Sequence, residues 1–409
     1  MNLRALGRDV RRDPRTGLAV LRIVVVALVL LNPATQEAVR WASLPPPLVV
    51  PLEGLWSLPV PVTPLLGRGM QLLLVASCFA ALFGVYTRAA LITAAVTATY
   101  VLGLPQRQGN VIHHHHLVWL LAILAVSPCG DALAWDRGPA RPDRAYELPL
   151  DAARLVFGLV YLFPGVHKLT EQGLGWALSD NLRLQMWWKW AQFEWVPALR
   201  VDHHPLVLRA LGLGTLAFEL GFVALVLFPR TRLFALGMGL AFHLGTAWLM
   251  KIEFPTLFLC YVGLLAGGPP RRSREGVSTT TLAVTGLVLA AVTLQGIRGQ
   301  MRAWPFACYP TFQWRPGAEM PDLQVRGFFA DGREVVLFGR PHAQAEWGAA
   351  WTLIGLQGPL DRARLAAFVA GRPAPPGVVR RVAERVWWSV DPDARGRPPL
   401  RREVLLAVP

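Results

Sequence analysis

Only three of the 41 basic residues in this 409-residue chain are lysines: Lys168, Lys189 and Lys251. Arginine stays protonated in proteins, whereas a desolvated lysine can give up its proton and act as a base. Lys168 closes the apolar run Phe163-Pro164-Gly165-Val166-His167-Lys168, so it is the leading candidate for chemistry. The bland alternative is a side chain that snorkels from a membrane helix to the interface.

Four consecutive histidines, His113 to His116, open another apolar run. On a helix His113 and His116 share a face and His114 and His115 point elsewhere, so at most two can serve one metal. The cluster equally suits a proton donor, an anion contact or a polar cap. Glu219 and His243 each interrupt an apolar stretch, and ionisable groups at membrane depth normally pair or line a cavity. The structural alternative for these two is a Glu219–His243 hydrogen bond that locks two helices. Lys251 and Glu253 stand two apart at a predicted turn, where a local ion pair or a membrane anchor is expected. Cys78, Cys129, Cys260 and Cys308 form no CxxC spacing, so no zinc site, redox pair or disulfide framework is signalled.

The elements that must position these groups are membrane helices. With 53% hydrophobic and 16% charged residues, the chain is too apolar for a soluble protein of its size, and its apolar stretches have helical length. The composition predicts a polytopic α-helical membrane protein with about nine transmembrane helices, at 18–36, 69–86, 89–105, 112–128, 151–167, 205–228, 232–250, 254–268 and 277–297. A net charge of +15 would suggest nucleic acid in a soluble domain. Here the arginines cluster between apolar runs, the positive-inside pattern, and nucleic acid is not expected as a partner.

Counting alternately from a cytoplasmic N-terminus places Arg4 to Arg15, Arg88, the 130–147 loop, Arg230/Arg232 and Arg271 to Arg274 all in the cytoplasm. Asp131 and Asp136 fall on that side, away from Lys168. The N-terminal run lacks a good cleavage site and reads as a retained first helix. The Trp-rich segment 181–200, with Trp187, Trp188, Trp190 and Trp195 among charges, reads as an interfacial helix, an aromatic anchor or a substrate-entry rim. Residues 1–299 form the multi-span domain. Residues 300–409 form a small C-terminal extracytoplasmic α+β domain, with a hairpin around Asp331-Gly332, helices across 343–357 and 359–371, and a strand at 402–408.

His113 to Leu121, Gly130-Asp131 to Trp135-Asp136, Gly165-Val166-His167-Lys168-Leu169, Glu219, Ala241-Phe242-His243 and Ile252-Glu253-Phe254-Pro255 occur in an order that resembles the horizontally transferred transmembrane domain. This is the family of vitamin K-dependent γ-glutamyl carboxylase, and the resemblance covers about residues 15–300. Trp304 to Phe312 is similar to the segment after the last span in bacterial short forms.

The resemblance implies that Lys168 deprotonates a reduced vitamin K or menaquinone. Oxygen then converts the anion into a strong base, which removes a γ-proton from a peptidyl glutamate so that CO2 can add. It also implies that His114 is the functional partner of the lysine, with His113, His167, Glu219, His243 and Thr246 as supporting or binding groups and no metal. His167 replaces the first lysine of the family motif, and His113 and Thr246 replace asparagines. The expectation is a multi-pass enzyme of the bacterial inner membrane, surrounded by lipid, that modifies an exported peptide or protein. Two alternatives stand beside it: a non-catalytic maturation, immunity or partner-binding protein, and a membrane metalloenzyme or redox carrier built on His113, His116, Glu219 and His243. Animal carboxylases carry a much longer luminal region than the roughly 110 residues left here, and a shared fold does not carry function with it.

Overall fold

The computed structural model describes residues 13–50, 53–54, 60–108, 113–266, 276–308, 311–340, 344–356 and 360–409. Arg4 to Arg12 and Arg271 to Arg274, which entered the charge count above, lie outside the described residues. The helices of the first domain are α1 (Pro14–Leu31), α2 (Pro64–Phe83), α3 (Thr87–Val101), α4 (His115–Ala125), α5 (Arg144–Gln172), α6 (Asn181–Phe193), α7 (Pro205–Leu227), α8 (Arg232–Met250), the apolar stretch α9 (Pro255–Leu265) and α10 (Thr279–Arg298).

Their ends follow local chemistry. The Asp13 carboxylate accepts from the Arg15 and Thr16 amides at 3.0 and 3.1 Å, and Thr63 and Ser278 cap α2 and α10 in the same way. Pro14, Pro64 and Pro205 occupy first-turn positions, where a missing N–H costs nothing. Gly84 and Gly299 end α2 and α10 with φ of 74° and 62°, in the left-handed region open to glycine.

The chain is a multi-pass α-helical membrane protein. Among the described residues, seven helices are long and apolar enough to cross a bilayer, and α4 and α9 are shorter apolar stretches. The fourth and eighth expected spans appear as these two shorter stretches, each bordered by residues outside the described set. The 11 residues of α4 rise only about 16 Å against a hydrocarbon core of about 30 Å, and α9 passes through a 3-10 turn at Leu259–Tyr261. Helix α4 is nonetheless almost wholly buried, so it serves as core between longer helices.

The helix ends gather into two groups. At one, the fully buried Arg22 guanidinium donates to the carbonyls of Cys129 at 2.8 Å and Leu133 at 2.5 Å. At the same end Arg154 donates to Ala266 O, Thr281 Oγ1 donates to Val126 O at 2.6 Å, and the Tyr86 amide donates to Asp136 at 2.7 Å. Asp131 is buried there, holding Arg141 and the Tyr146 hydroxyl.

At the other end, tryptophan indoles do the tying. Trp176 donates to Phe312 O and Trp188 to Gly317 O, both at 2.6 Å, and Trp190 donates to Leu249 O at 2.7 Å. Trp176, just before α6, and Trp188 on it thereby fasten the segment that leaves the bundle after α10, while Trp190 ties α6 to the end of α8. Earlier in that segment Trp304 is buried, donating to Thr99 O at 2.8 Å while Trp119 donates to Pro305 O at 2.6 Å.

The C-terminal domain is one antiparallel sheet, β1 (Glu319–Phe329), β2 (Glu334–Phe338), β3 (Val378–Ser389) and β4 (Arg401–Val408), in the order β2-β1-β3-β4. Helices α11 (Gln344–Leu353) and α12 (Arg362–Ala370) cover one face. Leu323, Val325, Ala383 and Leu405 meet Leu353, Leu365 and Phe368 in its core. The expected hairpin, helices and last strand are all present. Strand β3 was not expected, because Arg380, Arg381, Glu384 and Arg385 break its apolar alternation. It is nevertheless the strand that joins β1 to β4. Arg200 bridges Asp393 of this domain at 3.1 Å and the buried Asp202 at 2.9 Å, and Trp187 donates to the same Asp202 carboxylate at 3.0 Å.

Helices α5 and α7 make the closest helix–helix approach at the site. A Cβ added at Gly158 would lie 2.7 Å from Val223, and one added at Gly165 would lie 2.9 Å from the Glu219 Cβ. Overpacking of this kind costs about 1–3 kcal/mol. Gly158→Ala and Gly165→Ala should each lower stability by that amount in thermal or denaturant unfolding of the protein in nanodiscs. Gly214→Ala and Gly221→Ala, on the same helix α7 but facing open space, should be neutral or slightly stabilising.

Candidate active site

Helix α5 carries Tyr161, Pro164 and Lys168 at a spacing of three and four residues, which places all three on one face. That face forms a wall of a cavity of about 830 Å³, counting its mouth, completed by α6, α7, α8 and the start of α9. Pro164 cannot donate to the carbonyl of Val160, and both residues line the cavity, so the helix is deliberately incomplete one turn before Lys168. The walls are mainly apolar and aromatic, including Trp176, Phe242, Phe254 and Phe312.

Lys168 does not snorkel. It lies more than a turn before the end of α5, is 1% exposed, and donates from Nζ to Glu219 Oε1 at 2.5 Å. Nζ also stands 5.1 Å from the centre of the Trp176 ring. Glu219 reaches it because Gly165 lets α7 close on α5. The second carboxylate oxygen, Oε2, is buried and has no hydrogen-bond partner among the described residues.

The expected Glu219–His243 bond is replaced by two separate polar groups. Glu219 pairs with Lys168, and His243 Nε2 lies 2.6 Å from the Tyr161 hydroxyl and 3.2 Å from that of Tyr261. The two tyrosine hydroxyls are bonded to each other. Thr246 lines the cavity and donates to the His243 carbonyl at 3.0 Å.

His113 and His116 both line the cavity, although α4 begins only at His115. His116 Nε2 lies 3.0 Å from Thr256 O, and His115 packs against Trp304 at 4.7 Å between ring centres. His114, expected as the partner of Lys168, is the N-terminal cap residue of α4 and is not among the cavity's lining residues. His167 points to the opposite side of α5, with Nε2 2.8 Å from Gly296 O on α10, and so ties two helices. Five of the seven expected site residues thus meet at one cavity: Lys168, Glu219, His243, Thr246 and His113. Among the described residues no three His, Cys, Asp or Glu side chains converge as metal ligands.

The other two lysines flank this region. Lys189, half-buried on α6, donates to Gln192 at 2.8 Å and stands 5.6 Å from the ring of Phe312, a cavity residue; burial pushes its ammonium down to about 8. Lys251 Nζ sits 5.9 Å from the centre of the Phe193 ring. Tyr161, Tyr261, Trp176 and Gln185 were not singled out in the sequence. Tyr161 had a signal, since it stands two turns before Lys168 on the same helical stripe; the other three arrive from distant segments.

Removing one member of a buried ion pair strands the other charge and costs about 3–5 kcal/mol, whereas replacing both by apolar groups is often neutral. Lys168→Ala should therefore lose about that much stability in nanodiscs. Lys168→Met combined with Glu219→Leu should unfold close to wild type in the same experiment.

No curated protein and no solved structure matches this chain. The HTTM domain model matches residues 11–266, a stretch that contains α1 to α9 and every cavity residue of the helical bundle up to Leu257. With well over half of its length matched, the chain belongs to the HTTM domain family, the domain found in vitamin K-dependent γ-carboxylase.

Proposed function

We propose that the protein is a carboxylase-like membrane enzyme in which Lys168 acts as the base toward a lipid-soluble quinol in this cavity. The observation that carries the reading is the Lys168–Glu219 pair, buried together in an apolar chamber inside the helical bundle. Two charges are costly in such surroundings. Moving the proton from Nζ to Glu219 cancels both and leaves an amine with a free lone pair, the form a base requires. When that amine takes a hydroxyl proton, the new ammonium stands beside the anion it has created. The ring of Trp176 lies against the same ammonium position.

The chamber suits a reduced vitamin K or menaquinone. Its aromatic walls with a few convergent polar groups match a flat oxygenated ring. Such a ligand would supply, with O2, the oxidative driving force for modification of an exported peptide or protein, with CO2 as co-substrate if the outcome is γ-glutamyl carboxylation. The chain's own part is to exclude water, hold the ring and move one proton.

For orientation, we place the arginine-rich end in the cytoplasm, because Arg15, Arg22, Arg88, Arg137, Arg141 and Arg144 gather there. The cavity, the three lysines and the C-terminal domain then face the outside of the cell membrane, taken as a bacterial inner membrane.

The test is oxygen-dependent consumption of menaquinol or vitamin K hydroquinone by purified protein in nanodiscs, with assay for the epoxide. Wild type should turn over. Lys168→Met with Glu219→Leu, which keeps the fold, should lose at least about a hundredfold in rate, the lower range for a positioned acid–base group. Absence of turnover and of quinol binding in an intact wild-type protein would overturn this reading. A role in binding an exported partner through the C-terminal domain would then be the one to pursue.

A further inference from the structure

His243, Tyr161 and Tyr261 form a closed set of hydroxyl and imidazole groups, each 5% exposed or less, and proton counting within it has one satisfactory answer. If the imidazole proton sits on Nε2, it is donated to a tyrosine oxygen, and one tyrosine hydroxyl hydrogen is left buried without an acceptor. If it sits on Nδ1, Tyr261 donates to Tyr161, Tyr161 donates to His243 Nε2, and every hydroxyl hydrogen is used. Each arrangement leaves one buried hydrogen unmet, but the first also leaves the Nδ1 lone pair without a donor, so the second, which strands one group rather than two, is favoured. It leaves a single unmet group, the Nδ1–H of His243, which has no partner among the described residues although His243 lines the cavity.

The same cavity holds one other unmet group, the acceptor Glu219 Oε2. We infer that the cavity is built for a ligand with two oxygens of opposite polarity: a hydroxyl that donates toward the Lys168–Glu219 pair, and a second ring oxygen that accepts from His243 Nδ1. His243 is then a ligand-binding residue. Tyr161 and Tyr261 are positioning residues that act through it, by fixing which ring nitrogen carries the proton. This inference rests on the quinol reading and specifies how a quinol is held.

The experiment compares two probes by anaerobic calorimetry in nanodiscs: an alkyl-substituted naphthohydroquinone and the matching naphthol, which lacks the second ring oxygen. Wild type should bind the hydroquinone about tenfold more tightly, the equivalent of one well-made hydrogen bond. In His243→Phe the ratio should fall to about one. In Tyr161→Phe with Tyr261→Phe it should fall part of the way, although His243 remains in place. A structural role alone would weaken both probes together and leave the ratio unchanged. Equal binding of the two probes by wild type would overturn this inference and leave the quinol reading standing, and needs no variant to fold. Binding of neither probe by intact wild type would overturn both.

Discussion

An ammonium and a carboxylate in an apolar helical bundle are held there by each other, and much of this molecule is arranged around that requirement. Separately, Lys168 and Glu219 would each face a large desolvation cost. Together, at 2.5 Å, they satisfy one another and leave one carboxylate oxygen over. The approach needs α5 and α7 in near backbone contact, which Gly158 and Gly165 permit at two points seven residues apart along one face. The pair also needs space beside it. Pro164 interrupts the backbone bonding of α5 at that level, and large aromatic rings from the turn before α6 (Trp176), from α8 (Phe242), from the residue before α9 (Phe254) and from the segment after α10 (Phe312) close the chamber.

The two ends of the bundle are secured by different chemistry. At the arginine-rich end, guanidinium groups reach inward to loop and helix-end carbonyls that have no helical partner, as Arg22 does at Cys129 and Leu133. At the cavity end the donors are indoles. Trp176, Trp188 and Trp190 present an apolar body to the bundle and one N–H to a backbone carbonyl, which suits them to tie segments together without bringing in charge. One consequence is functional. The segment held by Trp176 contributes Phe312 to the cavity wall, so the chain leading to the C-terminal domain is part of the chamber.

Much of this was legible in the sequence. Apolar stretches of helical length marked the bundle, and the polar interruptions within them marked Lys168, Glu219 and His243, because an ionisable residue in such a stretch must have a partner or a cavity. Turn chemistry at Asp331-Gly332 marked the hairpin. The failures have physical reasons too. Strand β3 was hidden because its arginines lie on the sheet with their guanidinium groups over aromatic rings, as Arg380 does over Phe328 and Arg385 over Trp387.

What the sequence determined by itself, then, is the kind of solvent the chain is made for and the few residues too polar to sit in it without help. Which of those residues meet was decided only by tertiary structure. Glu219 reads from the sequence as a partner for His243 yet meets Lys168, because side-chain spacing along separate helices carries no information on how those helices rotate against each other. The glycine face of α5 settles that rotation, turning Lys168 toward Glu219 and His167 toward Gly296, while His243 is left to the two tyrosines. His114 and His113 differ by one position in the chain, yet only His113 lines the chamber, because the helix begins two residues later than the histidine run.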